Sequence, residues 1–340
     1  MPRRAKGRES GQRVTMAAVG RMAGVSQVTV SRALSDPTKV SPETLRRIRA
    51  AIEATGYVPN AIAGALASKR SRLVTALIPS ITNIVYSAFI RTFGERIRAA
   101  GYQLLLSETG FDPAEEEALI AAHLSRQPDA VLLTGIHHSA QARRQLLGAG
   151  LPVVEVWDLT DTPIDLCVGF SHAGAAQAVA DFALELGFER AATVTAEDER
   201  AWRRRDAFAA RFGAARGGAV PDAGIAGPAR IGSGRQGLAR LIDDHGFARG
   251  VVFCSSDLLA HGVLIEAQAR GLSVPGDLAV IGFGDQEFAA DLNPALTTVH
   301  VDRDRLGQVA AEAVLARLDG QEPARAVTDL GFRIIRRASC

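Results

Sequence analysis

From Leu73 onward the sequence repeats one pattern: a short apolar run, a longer amphipathic stretch, then another apolar run. "LVTALIP" (73–79), "YQLLLSE" (102–108), "AVLLTG" (130–135) and "PVVEVWD" (152–158) read as buried strands, with helices expected around 86–100 and 113–126 between the first three. A second series follows in "AATVTA" (191–196), "GVVFCSSD" (250–257) and "LAVIGFGD" (278–285). Strands joined through helices pair in parallel, because each helix carries the chain back across the sheet. Two such series therefore predict an α/β core of two doubly wound parallel-sheet subdomains. Ligands of these sheets bind beyond the carboxyl ends of the strands. The polar residues there, Ser80, Thr134, Asp158, Ser256, Asp257 and Asp285, are the first candidates for a site in a cleft between two lobes.

The chain has 340 residues, 47% of them hydrophobic, enough to fill more than one core. No apolar run reaches the roughly 18 residues of a membrane span. The opening "MPRRAKGRES" is basic but lacks the apolar centre of a secretory signal, so a cytoplasmic location is expected. Cys167, Cys254 and Cys340 lie far apart and without neighbouring histidines, so reduced, packed thiols are expected, with no metal site. The net charge of +2 hides an asymmetry: residues 1–72 hold 14 Lys and Arg against 4 Asp and Glu, and the rest of the chain holds 25 against 33. Positive charge gathered in one small segment is what a polyanion-binding module needs, since phosphate contacts dominate such affinity.

That segment has its own pattern. Residues 1–13 read as a disordered basic tail. Val14 to Gly24 has helical spacing, with Met16, Val19 and Ala23 on one face and Gly24 as its stop. Ser26 can cap a second helix from about Gln27 to Leu34, and a three-residue joint between two short helices is the helix–turn–helix signature. Val25, Val30 and Leu34 are expected to be buried, which leaves Gln27, Val28, Thr29, Ser31 and Arg32 to project. Glutamine can pair with adenine, arginine with guanine, valine with a thymine methyl, and the hydroxyls with phosphates. A third helix starts at Ser41-Pro42 and runs to Gly56. "YVPNAIAGALASKRS" (57–71) then reads either as a flexible tether or as a short helix that forms on DNA, with Leu66 wedged into the minor groove.

Residues 14–68, with the turn, the reading helix, "VSPET" and "GYVPN" in that order, resemble the headpiece and hinge of the lactose/galactose repressor family. The resemblance implies a DNA-binding domain over 14–58 and a hinge and linker over 59–72. It implies base reading by Gln27, Val28 and Arg32, phosphate contacts by Thr15, Ser26, Thr29 and Ser31, and minor-groove contacts by Asn60, Ala63 and Leu66. "CSSDLLAHGVLIEAQARGLSVPGDLAVIGFGD" and "LTTVHVDRDRLGQVAAEAVLARL" extend it to the family's effector-binding core, which is similar to periplasmic sugar-binding proteins. It implies an N-subdomain of 73–170 and 303–330 and a C-subdomain of 171–302 and 331–340. By the same resemblance Ser80, Tyr86, Thr134, Asp158, Arg204 and Ser256 fall where the family contacts its effector, with Asp285 beside them. The expected partners are a near-palindromic operator DNA, a second copy of the chain and a small sugar-type effector, without any cofactor.

Two departures bear on the effector. Where the family often has two consecutive aspartates, "GFGD" has Gly284 then Asp285, which removes a carboxylate suited to sugar hydroxyls. The arginine motif, which in the family usually ends in glycine plus an aromatic, here has Arg204 before Ala207-Phe208. Arg204, in "RRRD", can clamp a carboxylate in two places, while Arg203 and Arg205 are expected to be solvated. His138 and His172 are weaker pocket candidates. With "VEVWDLTDTPIDLCVGFSH", these features most resemble the gluconate-operon repressor branch and favour a sugar acid such as gluconate; a neutral sugar, phosphosugar or purine is the alternative. "GSGRQG" (232–237) fits a dinucleotide fingerprint but lacks a strong preceding strand, so it reads as a loop leading into a helix at Leu238. Enzyme and transport-binding readings thus have little behind them.

Overall fold

The structure, a computed structural model, describes residues 14–60, 70–81, 84–110 and 112–340. Ala63 and Leu66 of the expected hinge lie outside the described residues. The chain divides into two compact units, Met1–Arg72 and Leu73–Cys340.

In the first unit, helix α1 (Met16–Ala23) begins where the Thr15 hydroxyl accepts the Ala18 amide and ends at Gly24, in the left-handed conformation with φ 66°. Helix α2 (Gln27–Ser35) begins where the Ser26 hydroxyl accepts the Thr29 amide. The chain turns tightly between them: a Cβ on Gly20 would lie 2.8 Å from the Val25 carbonyl oxygen. Helix α3 (Pro42–Thr55) is capped by Ser41, with Pro42 at its first position. Val19, Ala23, Val30, Ala33, Ile48, Ala51 and Tyr57 form the core. Leu34, expected inside, is exposed, and Val25 is half-buried. Ala33 lies one turn beyond Val30 on the same face of α2 and is small enough to let the helices approach; it takes the buried position instead.

The second unit holds two six-stranded sheets. The first contains β1 (Leu73–Ile78), β2 (Gln103–Glu108), β3 (Ala130–Thr134), β4 (Val153–Val156), β5 (Leu166–Gly169) and, from far along the chain, β11 (Val327–Asp329). Its order is β11-β5-β4-β3-β1-β2, and every pair is parallel. The second contains β6 (Ala191–Ala196), β7 (Asp222–Ile225), β8 (Gly250–Cys254), β9 (Leu278–Gly284), β10 (Thr297–His300) and β12 (Arg333–Ile335). Its order is β12-β10-β9-β8-β6-β7, parallel except where β12 runs against β10. The chain thus passes between the sheets after β5, after β10 and after β11. One apolar cluster, including Phe89, Trp157, Phe170, Phe208, Phe253 and Phe283, draws on both lobes.

Helices α4 (Ile84–Ala99), α5 (Pro113–Leu124) and α6 (Ala140–Ala149) lie between strands of the first sheet. Helices α7 (His172–Glu185), α8 (Glu199–Arg216), α9 (Ile231–His245) and α10 (Asp257–Ala269) alternate with strands of the second, and α11 (Arg303–Leu318) returns to pack on α4. The segment "GSGRQG" does not form a loop: it lies inside α9. Glycine is required there by close packing. A Cβ on Gly234 would sit 2.1 Å from the Leu259 carbonyl oxygen, and one on Gly262 of α10 would sit 2.0 Å from that of Ile231.

His138, in the loop after β3, is buried away from the clefts. Its Nδ1 lies 2.8 Å from Glu116 on α5 and its Nε2 lies 3.4 Å from Glu155 on β4. Arg143 on α6 reaches within 4.0 Å of the same Glu155 carboxylate. Burial alone would push the imidazole pKa down; the two carboxylates outweigh it and raise it to about 9.

Two measurements check this packing. Gly234→Ala forces α9 and α10 apart and should destabilise the core by about 1–3 kcal/mol in urea unfolding, whereas an unchanged midpoint would show that the helices separate freely. The folded pKa of His138 lies above its ordinary value of 6.5, so its ion pairs stabilise fully below that value, and the gain is lost as pH rises through about 9. The stability advantage of the wild type over His138→Gln should therefore shrink from neutrality through that range; a constant difference would mean that the imidazole is already neutral.

Candidate functional site

The carboxyl ends of the two sets of strands frame a cavity of about 100 Å³, walled by residues of both lobes. Tyr86 and Trp157 come from the first lobe; Arg200, Arg204, Ser256 and Phe283 come from the second. His172, at the start of α7, and Arg303, at the start of α11, line it from the crossing segments. Trp157 follows β4 with φ 74°, a strained conformation for a tryptophan, and its indole Nε1 is buried without a hydrogen-bond partner.

Arg204 is the most constrained of these groups. It is 7% exposed; Nη1 donates to His172 Nδ1 at 2.8 Å and Nη2 to the Ser255 carbonyl at 3.0 Å. Its guanidinium carbon stands 4.3 Å from the centre of the Phe283 ring. Guanidinium only donates, so His172 Nδ1 carries a lone pair and Nε2–H donates to the Trp157 carbonyl at 2.8 Å. The imidazole is therefore neutral, which agrees with burial and the adjacent arginines holding its pKa well below the usual range. Burial also lowers Arg204 to about 10, still cationic at neutral pH.

Two further arginines share this wall. Arg200 donates from Nη2 to the Tyr86 hydroxyl at 2.7 Å, and burial keeps that phenol protonated by raising its pKa. Arg303 donates to the carbonyls of Gly284 and Asp285 at 3.0 and 3.1 Å. Among the described residues, no carboxylate oxygen lies within 4.0 Å of a side-chain nitrogen of Arg200, Arg204 or Arg303. The acids on the rim are held by backbone amides instead: Asp198 accepts from Ala201 at 2.9 Å and Glu197 from Gly227 at 2.9 Å. Asp198 and Asp158 act on Arg200 and Arg204 through space, and with Tyr86 they raise the Arg200 pKa despite its burial, but neither acid pairs with these arginines directly. Guanidinium groups with neutral contacts in a partly dry site favour an anion that reaches them.

The candidates read from the sequence divide among several places. Tyr86, Arg204 and Ser256 line this cavity, and Ser256 also caps α10 through the Leu259 amide. Thr134 and Asp158 line a neighbouring, more open cleft of about 440 Å³, which Arg200 also borders. The Asp158 carboxylate there is engaged by Arg203, so Arg203 is an ion-pair partner and not the solvated residue expected. Ser80 is absent from both walls, although its neighbour Pro79 lines the open cleft. Asp285 is absent too: Arg337 at 2.7 Å and His300 at 2.8 Å hold its carboxylate. Asp257 lies behind the cavity, accepting from Thr298 Oγ1 and the Gln286 amide. Arg200 and Arg303 were missed as candidates. Arg200 had a legible signal, since it precedes Arg204 by four residues and so shares its helix face.

In the headpiece, α2 leaves Gln27, Val28, Ser31 and Arg32 exposed, with Val28 66% exposed and Thr29 half-buried. Thr15 and Ser26 stand exposed at the starts of α1 and α2, and the Ser26 and Thr29 hydroxyls bond each other at 2.9 Å. Asn60 is exposed at the end of the described headpiece. Short polar groups along one accessible helix face form a surface that can enter a DNA groove.

Comparison with known proteins places both units. Residues 15–60 match the bacterial regulatory proteins of the lacI family, and residues 180–340 match a periplasmic binding protein-like domain. The HTH-type transcriptional regulator GntR of Pseudomonas aeruginosa is 35% identical over 332 residues, 96% of each chain. The regulator of the same name from Escherichia coli is 32% identical over 92% of this chain and 94% of its own. Among solved structures, a LacI-family transcriptional regulator from Silicibacter pomeroyi superposes with a TM-score of 0.90 at 31% identity, covering 96% of this chain and 99% of the other. Transcription regulator GntR from Chromobacterium violaceum gives 0.74 at 36% identity, over 78% and 98%. No described helix is long and apolar enough to cross a membrane. The chain belongs to the lacI family of bacterial regulatory proteins: it is a DNA-binding transcriptional regulator and not an enzyme.

Proposed function

We propose that this regulator is a cytoplasmic repressor, working as a homodimer on a near-palindromic operator, whose DNA affinity falls when the cavity between its lobes takes up a small sugar acid. Gluconate is the leading candidate. The observation that carries the reading is the cavity wall itself, where Arg200, Arg204 and Arg303 stand without a carboxylate partner among the described residues. An anionic ligand takes the direct ion-pair contact that these arginines lack, and its hydroxyls meet neutral donors and acceptors such as Ser256 and Tyr86. The likeness to regulators named GntR supports the same class. One reading helix covers only a few base pairs, so a two-fold pair is needed for useful specificity. Closure of the lobes around the ligand would shift the surfaces that the linker at 59–72 joins to the headpiece.

Gln27, Val28 and Arg32 are proposed as the base readers, and Thr15, Ser26, Thr29 and Ser31 as phosphate anchors. Arg32→Ala should cost about 1–3 kcal/mol on operator and relax the preference at one base pair. An equal loss on operator and on scrambled DNA would remove the base-reading role. Gluconate should bind in calorimetry and lower operator affinity roughly 5- to 150-fold, the range of ordinary allosteric coupling. A neutral hexose preferred by the wild-type protein would remove the acid reading and leave the regulator assignment standing.

A further inference from the structure

We infer that Arg200 is the group that tells an acid from a neutral sugar, receiving the ligand's carboxylate in place of the Tyr86 hydroxyl. This rests on the reading of the cavity as a sugar-acid site. The three arginines of the wall are not equivalent. Arg204 has both terminal nitrogens engaged, by His172 and by the Ser255 carbonyl, and its face lies against Phe283. Arg303 has both terminal nitrogens on the carbonyls of Gly284 and Asp285, where it holds the end of β9. Moving either would leave backbone carbonyls unsatisfied. These two supply field; they are not free to reorient onto a ligand.

Arg200 differs on each count. Its one hydrogen bond among the described residues goes to a neutral phenol, with the guanidinium carbon 5.9 Å from the ring centre. A phenol oxygen is an exchangeable partner: a carboxylate accepts two parallel hydrogen bonds from guanidinium, each about twice as strong as a neutral one. Arg200 also borders both the small cavity and the open cleft, so it meets a ligand on its way in. The exchange has a mechanical side. The Arg200–Tyr86 bond runs from α8 in one lobe to α4 in the other, so an acid would replace a direct link between lobes by a bridge through itself. A polyol has no charge with which to displace the phenol.

Calorimetry on the full-length protein with D-gluconate and with D-glucitol, which has the same carbon chain without the carboxylate, tests this. The wild type should prefer gluconate by roughly 10- to 100-fold, the value of one charged hydrogen-bonded contact. Arg200→Gln should erase that gap by weakening gluconate alone. Arg200→Lys, which keeps the charge and loses the planar fork, should fall between the two. Tyr86→Phe, which removes the competing oxygen, should widen the gap, since any contact of its hydroxyl with the ligand's hydroxyls is lost to gluconate and glucitol alike. Arg205→Gln, whose side chain pairs with Asp206 and Asp222 off the cavity wall, should keep the full gap. Thermal melts report whether each variant folds; if Arg200→Gln does not, the lysine and Tyr86→Phe variants decide. A gap that survives in Arg200→Gln overturns this inference and leaves the sugar-acid reading intact. A wild type without a gap overturns both.

Discussion

The cavity is organised around a buried guanidinium whose immediate partners are all neutral. Arg204 meets an imidazole nitrogen, a carbonyl oxygen and the face of a phenylalanine, and none of these cancels its charge. That arrangement fixes the chemistry of its surroundings in turn. His172 must stay unprotonated, since a second proton would set two cations 2.8 Å apart. The remaining N–H must then point at Trp157, which ties the strained end of β4 to the start of α7. Removing Arg204 would therefore do more than delete a donor. It would leave a carbonyl and an imidazole nitrogen unsatisfied in a dry site, each at a penalty of about 1–3 kcal/mol.

The opening turns of α8 touch the opposite lobe at three points. Arg200 reaches Tyr86, Arg203 reaches Asp158, and Glu199 lies 3.0 Å from His137. All three are polar, but only the Glu199–His137 pair is exposed, so that water competes for it, whereas the Asp158 side chain is 4% exposed. An exposed pair is individually weak and readily exchanged. A ligand that alters one of them biases the relative position of the lobes, which is the physical content of coupling between an effector and a distant DNA surface.

Much of this architecture was legible because it rests on local signals. Thr15, Ser26 and Ser41 each stand before an apolar pattern of helical period, and each caps a helix. The long apolar strands announced themselves in the same way. The short strands β5, β7, β10, β11 and β12 did not, since three or four residues are too few for a period to emerge; β4, equally short, stood inside the longer apolar run "PVVEVWD". "GSGRQG" misled because glycine in a helix interior is locally unfavourable, and its reasons lie elsewhere in the fold: the Leu259 carbonyl of α10 faces Gly234 and the Val194 side chain faces Gly237. Asp285 resembled a ligand-facing acid in sequence, but its charge is taken by Arg337, fifty-two residues away. Arg203 was hidden for the same reason, as its partner Asp158 belongs to the other lobe.

The route of the chain has a consequence for how the core comes to exist at all. The first sheet is not finished when β5 has formed: its last strand, β11, and the helix α11 that covers α4 arrive only after β6 to β10 have been laid down in the other lobe. Each lobe is thus completed by residues synthesised on the far side of its neighbour. No single cut yields a whole lobe, and the final pairings join positions more than a hundred and fifty residues apart, such as Cys167 with Val327. Pairings of that span must wait for a large loop to close before they add stability, which makes folding slow and couples the two lobes in time as well as in space.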